Sequence, residues 1–262
     1  MKKKLFIFSN ESISIEDNKF YCDNLDLKST PEGLNKKFEV NLLGRRSIKK
    51  RSHEIKIKRI KVFSNIFSYL SEVKRASKNL DTKFLIISIT PYTFLISIFL
   101  KILGQKPIVY LRSDGYGEYK AILGRIGSLV YHFMFSITGA ISNLISCRDY
   151  ILHGKKGKLI NPSQLDSVWL RQPKNIEIRN FKLLYVGRLR VEKGIFSLIE
   201  IIKKLKFNFE FTIVNPEKLN SNKLKNEKIK IVQFNKNHDS LINIYDNSNI
   251  FYIYFMCSAT FF

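Results

Sequence analysis

Short apolar runs alternate with longer stretches of helical periodicity along most of the chain. Residues 5–8 and 38–43 are compact apolar stretches, the second closed by Gly44, and each predicts a buried strand. Residues 54–62 alternate apolar with charged positions, as a strand with one solvated face does. From 64 to 78, Ile66, Phe67, Leu70 and Val73 recur at the spacing of one helix face. The continuous apolar run 84–89 predicts another strand, and Pro91 suits the first turn of the helix after it. A strand at 107–111 then leads into Arg112-Ser113-Asp114-Gly115, a helix over about 118–135, and a strand near 140–146, with Thr138-Gly139 as the break between them.

Residues 161–166 and 171–174 are turn-rich and less apolar, and the pattern restarts beyond them. Strands are predicted at 181–186, 209–214, 228–234 and 249–255, and helices at 194–206 and 238–247. Continuous apolar strands separated by helices specify an α/β fold, with parallel sheets covered on both faces. The division predicted is a domain at 1–175 and a second α/β domain at 176–262.

Composition supports this picture and adds a surface property. At 45% hydrophobic residues the chain has enough apolar mass for sizeable cores, which argues against wholesale disorder. Cys22, Cys147 and Cys257 are far apart and odd in number, so they form neither a metal-ligand spacing nor a disulfide framework, as suits a reducing cytoplasm. Lys2 to Lys4 ahead of the run 5–8 mimics a secretory leader, but the apolar run is short and polar residues follow at once. Residues 84–100 and 128–147 carry no charge apart from His132, yet both are interrupted, and both read as strand–helix pairs instead of membrane spans. The net charge is +23, and nine of the seventeen residues from 45 to 61 are Lys or Arg against the single acid Glu54. Arg45, Arg46, Lys49, Lys50, Arg51, Lys56 and Lys58 read either as an AT-rich compositional drift or as a patch facing an anionic membrane. The aromatics follow core periodicity and do not interleave with the basic run, so nucleic acid is not an expected partner.

The segment carrying chemistry is Gly187-Arg188-Leu189-Arg190-Val191-Glu192-Lys193-Gly194, set between a predicted strand and a predicted helix. A strand end at Gly187 lets the backbone approach a ligand closely, and a helix start at Gly194 offers free amides to an anion. An Arg188 fork and a Lys193 point charge across that turn make a clamp for a diphosphate. This segment resembles the signature of the group 1 (family four) glycosyltransferases. The resemblance implies a GT-B fold of two Rossmann-like domains, and a donor nucleotide sugar held mainly by the second. It also implies that Gly187, Arg188, Lys193 and Gly194 bind the donor diphosphate and stabilise the departing nucleotide, with no metal or other cofactor.

Downstream the likeness continues through 211–214, 230–234 and 241–251, except that Asn215-Pro216 stands where the family has glycine. The family's next feature is a pair of glutamates that bind the donor sugar and ribose, whereas no acidic residue follows Asp246 here. The resemblance therefore implies a truncated member whose second domain is incomplete. In the first domain, Asp114 occupies a strand-end loop where relatives carry acceptor-site or catalytic groups, although an Asp-Gly pair is also a common turn. His132, His153 and His238 follow no spacing of a metal site or triad.

The function expected is a cytoplasmic glycosyltransferase, peripheral on the inner face of the cytoplasmic membrane. It would move a sugar, with retention, from a nucleotide diphosphate donor to a glycan or lipid-linked acceptor in surface polysaccharide or lipopolysaccharide assembly. The alternative is an inactive or split fragment needing a partner chain.

Overall fold

A computed structural model of the protein describes residues 2–79, 81–161, 181–187, 189, 194–215, 228–233 and 238–251. The chain divides into two compact units, Met1–Gln164 and Leu165–Phe262. The boundary expected at 175–176 lies outside the described residues.

In the first unit, β1 (Lys4–Glu16) is central, pairing in parallel with both β3 (Glu39–Arg46) and β6 (Lys83–Ile87). Outward from β3 lies β5 (Arg59–Phe63). Outward from β6 lie β7 (Ile108–Leu111), β8 (Asn143–Ser146) and the short β9 (Gly157–Leu159), all parallel. The chain thus builds the sheet in one direction from β1, then returns and builds it in the other. The far end of β1 bends away to pair antiparallel with β2 (Lys19–Cys22), which in turn pairs with β4 (His53–Glu54).

Both faces of the sheet are covered, as the continuous apolar strands require. Helix α1 (Leu25–Leu34) contributes Leu27 to one core with Ile7, Ile13, Leu42 and Ile60. On the other face α2 (Ile66–Ser77), α3 (Pro91–Ile102) and α4 (Gly115–Ile141) supply Tyr69, Val73, Ile96, Leu100, Met134 and Phe135. Each fully buried side chain of this size contributes roughly 1.5–3 kcal/mol.

Three sequence expectations need correction, and one helix was not anticipated. Residues 54–62 are not one strand: β4 and β5 belong to different ladders, and the segment between them crosses with Ile55 buried and its amide on the Phe20 carbonyl. In α2 Val73 is buried and Ile66 and Leu70 pack against the core as expected, but Phe67 points to solvent, and Tyr69 and Ala76 are the other buried positions. Helix α1 was hidden by Pro31, which sits inside it; Asn24 caps it by accepting from the Asp26 amide. Thr138-Gly139 does not end α4, because Thr138 is buried against Ser97 and the Ser142 hydroxyl donates to the Thr138 carbonyl. The interruption falls instead at Gly124, whose φ of 64° and ψ of −148° are far from helical.

The second unit holds a parallel sheet in the order β12 (Ile229–Gln233), β11 (Phe209–Asn215), β10 (Phe181–Val186), β13 (Ile250–Phe251). Helix α5 (Ile195–Lys203) lays Ile195, Leu198, Ile199 and Ile202 on one face against Phe211 and Ile213. Helix α6 (His238–Asp246) follows β12 and precedes β13.

Candidate functional site

Ligands of open α/β sheets bind beyond the carboxyl ends of the strands, where the winding direction reverses. In the first unit that point lies between β1 and β6. The register of β1 against β3 slips between Phe8 and Ser12, forming an irregular bulge at the carboxyl edge. Tyr69, 1% exposed, satisfies the backbone there: its hydroxyl accepts from the Ser9 amide at 3.2 Å and lies 2.9 Å from the Leu43 carbonyl. Burial pushes the Tyr69 phenol well above its ordinary pKa, so it stays a neutral hydroxyl.

From the bulge, Glu11 accepts from the Asn24 side chain at 2.8 Å and from Arg112 at 3.4 Å. Arg112 follows β7, is largely buried, and sits between Glu11 and Asp26, the latter at 3.7 Å. The Cys147 thiol, just past β8, donates to the Arg112 carbonyl. These contacts fix the loop that carries Asp114.

Asp114 caps α4, accepting from the Tyr116 amide at 3.1 Å, so the turn reading of Asp114-Gly115 holds locally. The same carboxylate oxygen lies 3.3 Å from Nε2 of His153, and both side chains remain 37% exposed. His153 has a left-handed backbone, φ 45°, at the end of the short 3-10 turn Asp149–Leu152 after β8. Its ring lies 4.4 Å from that of Tyr116. The Tyr116 hydroxyl is 2.8 Å from Nδ1 of His132. Burial, and then the nearby Asp114 carboxylate, push the Tyr116 phenol above its ordinary value.

Sequence spacing gave no hint of the Asp114–His153 pair. The two residues follow β7 and β8, which are neighbours in the sheet, so the fold delivers both loops to one edge. In the tautomer that donates Nε2–H to Asp114, Nδ1 of His153 is the nitrogen that can accept a proton. Of the other histidines, His132 joins this cluster, while the side chain of His238 lies outside the described residues.

In the second unit, Gly187 follows β10 and its amide donates to the Val214 carbonyl at 3.0 Å. Gly194 caps α5 with φ 63° and ψ 9°, a left-handed conformation that glycine adopts without penalty. Gly194 itself has no side chain to cap α5, and among the described residues no side chain bonds to its first-turn amides. Arg188 and Lys193 stand between these glycines in the sequence and lie outside the described residues. A groove of about 520 Å³ in this unit is lined by Lys182, Glu210, Lys230 and Asn243. These strand residues sit at the amino ends of their strands, away from the edge that carries Gly187.

The basic stretch is partly neutralised. Lys50 pairs with Glu16 at 2.8 Å and Arg51 with Asp23 at 2.7 Å, and Arg45 stacks over the Tyr92 ring at 4.9 Å. Arg46, Lys49, Lys56 and Lys58 are exposed and make no ion pair among the described residues.

Neither a protein-family model nor a curated protein sequence matches the chain. Its likeness to solved structures is extensive in shape and low in sequence. An α-glucosyltransferase in complex with UDP and a 13-mer DNA matches at TM-score 0.57 and 10% identity, over 95% of this chain and 71% of that one. A glycosyltransferase from Rickettsia africae matches at 0.56 and 14% identity, over 95% and 72%. MurG from Acinetobacter baumannii matches at 0.54 and 10% identity, over 95% and 72%. At such identities the likeness is one of fold, and the chain is built on the two-unit Rossmann-like plan of GT-B proteins.

Proposed function

We propose that the protein is a glycosyltransferase that takes a sugar from a nucleotide diphosphate donor. The observation that carries this reading is the β10–α5 connection. A strand ends at Gly187, a helix begins at a left-handed Gly194 with no side-chain cap among the described residues, and Arg188 and Lys193 fall between them in the sequence. A helix start without its own cap offers amides and a favourable dipole to a phosphate, and two cations beside it would neutralise charge on a departing nucleotide. The GT-B fold supports the same reading, since a neighbour of that shape is described in complex with UDP.

The acceptor belongs to the first unit in this proposal. Asp114 would orient an acceptor hydroxyl, with His153 beside it to receive the proton. We take the acceptor to be a glycan or lipid-linked saccharide of surface polysaccharide or lipopolysaccharide assembly, and the transfer to retain anomeric configuration. The exposed cations Arg46, Lys49, Lys56 and Lys58 would hold this unit against the inner face of the cytoplasmic membrane. The donor site proposed needs no metal or other cofactor.

Thermal stabilisation by UDP, GDP and their sugar conjugates tests the donor site. Binding by one of them, weakened at least about tenfold by Arg188→Ala or Lys193→Ala, is the expected result for charge-assisted contacts. A well-folded protein that binds none of these nucleotides removes the proposal. Because one fold hosts several chemistries, product analysis completes the test. Sugar transfer to a glycan acceptor supports a transferase, whereas epimerised or merely hydrolysed donor points to a different reaction of the bound nucleotide sugar.

A further inference from the structure

Helix α4 is apolar on two sides. Beyond Gly124 its inner face buries Gly127, Tyr131, Met134, Phe135 and Thr138 in the first unit's core. Its outer face presents Ile126, Leu129 and Phe133, which are 69%, 70% and 60% exposed. These three recur at i, i+3 and i+7, so they form one stripe along the helix.

The helix also turns sharply. Gly124 has dihedral angles open essentially to glycine alone, and Gly127 packs directly against the Tyr119 backbone carbonyl. The Tyr116 and Tyr119 rings rest on Tyr131, at 4.9 and 5.2 Å. The first turns therefore fold back over the later ones, and Ile122 and Leu123, 74% and 55% exposed, stand at the corner. By length and composition α4 is long and apolar enough to cross a membrane. The corner divides it into segments at 115–123 and 125–141, each short of the about 20 residues that a span needs.

Scattered exposed leucines need no explanation, but a contiguous stripe ending in an apolar corner does. The charges around it identify its occupant. Lys120 and Arg125 flank the corner, are exposed, and make no ion pair among the described residues; Glu118 is the one acid in the helix. At the other end of the helix Lys155 lies over the Phe135 ring at 5.4 Å. A second copy of a chain with net charge +23 would bring like charges together, whereas an anionic lipid surface satisfies both the stripe and its cations.

We propose that the Gly124 corner and outer stripe of α4 form an interfacial element that inserts into the headgroup–acyl boundary of an anionic bilayer. The element lies along the surface and does not span it. This assignment is independent of the sugar-nucleotide chemistry, and it places the apolar anchor on α4, apart from the basic stretch 45–58.

The test uses the full-length chain with vesicles of phosphatidylcholine and of a phosphatidylcholine–phosphatidylglycerol mixture. Co-sedimentation with the mixed vesicles alone is expected. The double variant Ile126→Gln/Leu129→Gln should bind them at least about tenfold more weakly while keeping the wild-type circular dichroism spectrum and melting temperature, because both side chains point outward. As a second readout, Leu129→Trp in a Trp169→Phe background should show a blue-shifted emission on adding mixed vesicles. Vesicle binding unchanged by the apolar variant, or an unshifted emission from the introduced indole, overturns the proposal. So does a concentration-dependent dimer, in the absence of lipid, that the apolar variant dissociates.

Discussion

Glu72 on α2 accepts from Lys61 at 2.9 Å and from Arg75 at 2.6 Å, joining a strand to a helix across one carboxylate. Burial works against its charge, but the two hydrogen-bonded cations outweigh burial and hold its pKa below the ordinary glutamate range. A depressed carboxylate stabilises the fold wherever the unfolded chain is also ionised, and that stability disappears as pH falls through the native value. Glu72→Gln should therefore lower urea stability by about 1 kcal/mol at pH 7. The gap to wild type should begin to narrow as pH falls through the ordinary glutamate value, about 4.3, and close only below the depressed native one. A gap that stays constant from pH 7 to pH 3 would show that the effect is packing and not charge. Single residues of this kind were only partly legible in the sequence. Gly194 could be placed at a helix start from its position in the motif, and the structure adds that only its left-handed angle makes it a cap. Asp114 could be singled out from its strand-end loop. His153 could not, because its relation to Asp114 is created by the pairing of β7 with β8 and by no spacing along the chain.

At the scale of elements, the break in α4 has a definite cost if glycine is replaced. An alanine at 124 must adopt a φ of 64° with ψ near −148°, a region costing about 1–3 kcal/mol for a residue with a Cβ. Gly124→Ala should lower the urea midpoint accordingly, whereas Ala121→Gly in the preceding helix should cost only about 1 kcal/mol. Equal losses in the two variants would mean that the corner carries no special strain. The sequence revealed strands better than helix ends. Continuous apolar runs such as 84–89 and 181–186 have few alternatives to a buried parallel strand, and β6 and β10 lie there. Helix limits depended on partners that the sequence does not display: Thr138 continues α4 because Ser97 of α3 faces it. Residues 54–62 alternate smoothly, yet they serve two ladders, since β2 and β3 each claim one end.

At the scale of the molecule, each unit has its own core among the described residues. The clusters around Phe8 and Leu42 lie wholly in the first unit, and the cluster around Phe211 lies in the second. A fragment of residues 1–164 should consequently fold alone and unfold in one cooperative transition by circular dichroism and by tyrosine fluorescence. Non-coincident transitions from the two probes would argue against an independent unit. The α/β class and the restart of the pattern beyond the turn-rich segment were both visible beforehand, because strand–helix alternation is local. The order of the strands was not, because it depends on which of them finds β1. That arrangement also bears on the chain during synthesis. β1 precedes both of its parallel partners, and its second edge is not filled until Ile87 has been made, 71 residues after β1 ends at Glu16. At about 5–20 residues per second, that edge waits roughly 4–14 s. Phe6, Ile7 and Phe8 are an apolar segment that a ribosome-associated chaperone would meet during that wait, so the residues that later anchor the core are the ones most in need of protection while it is being assembled.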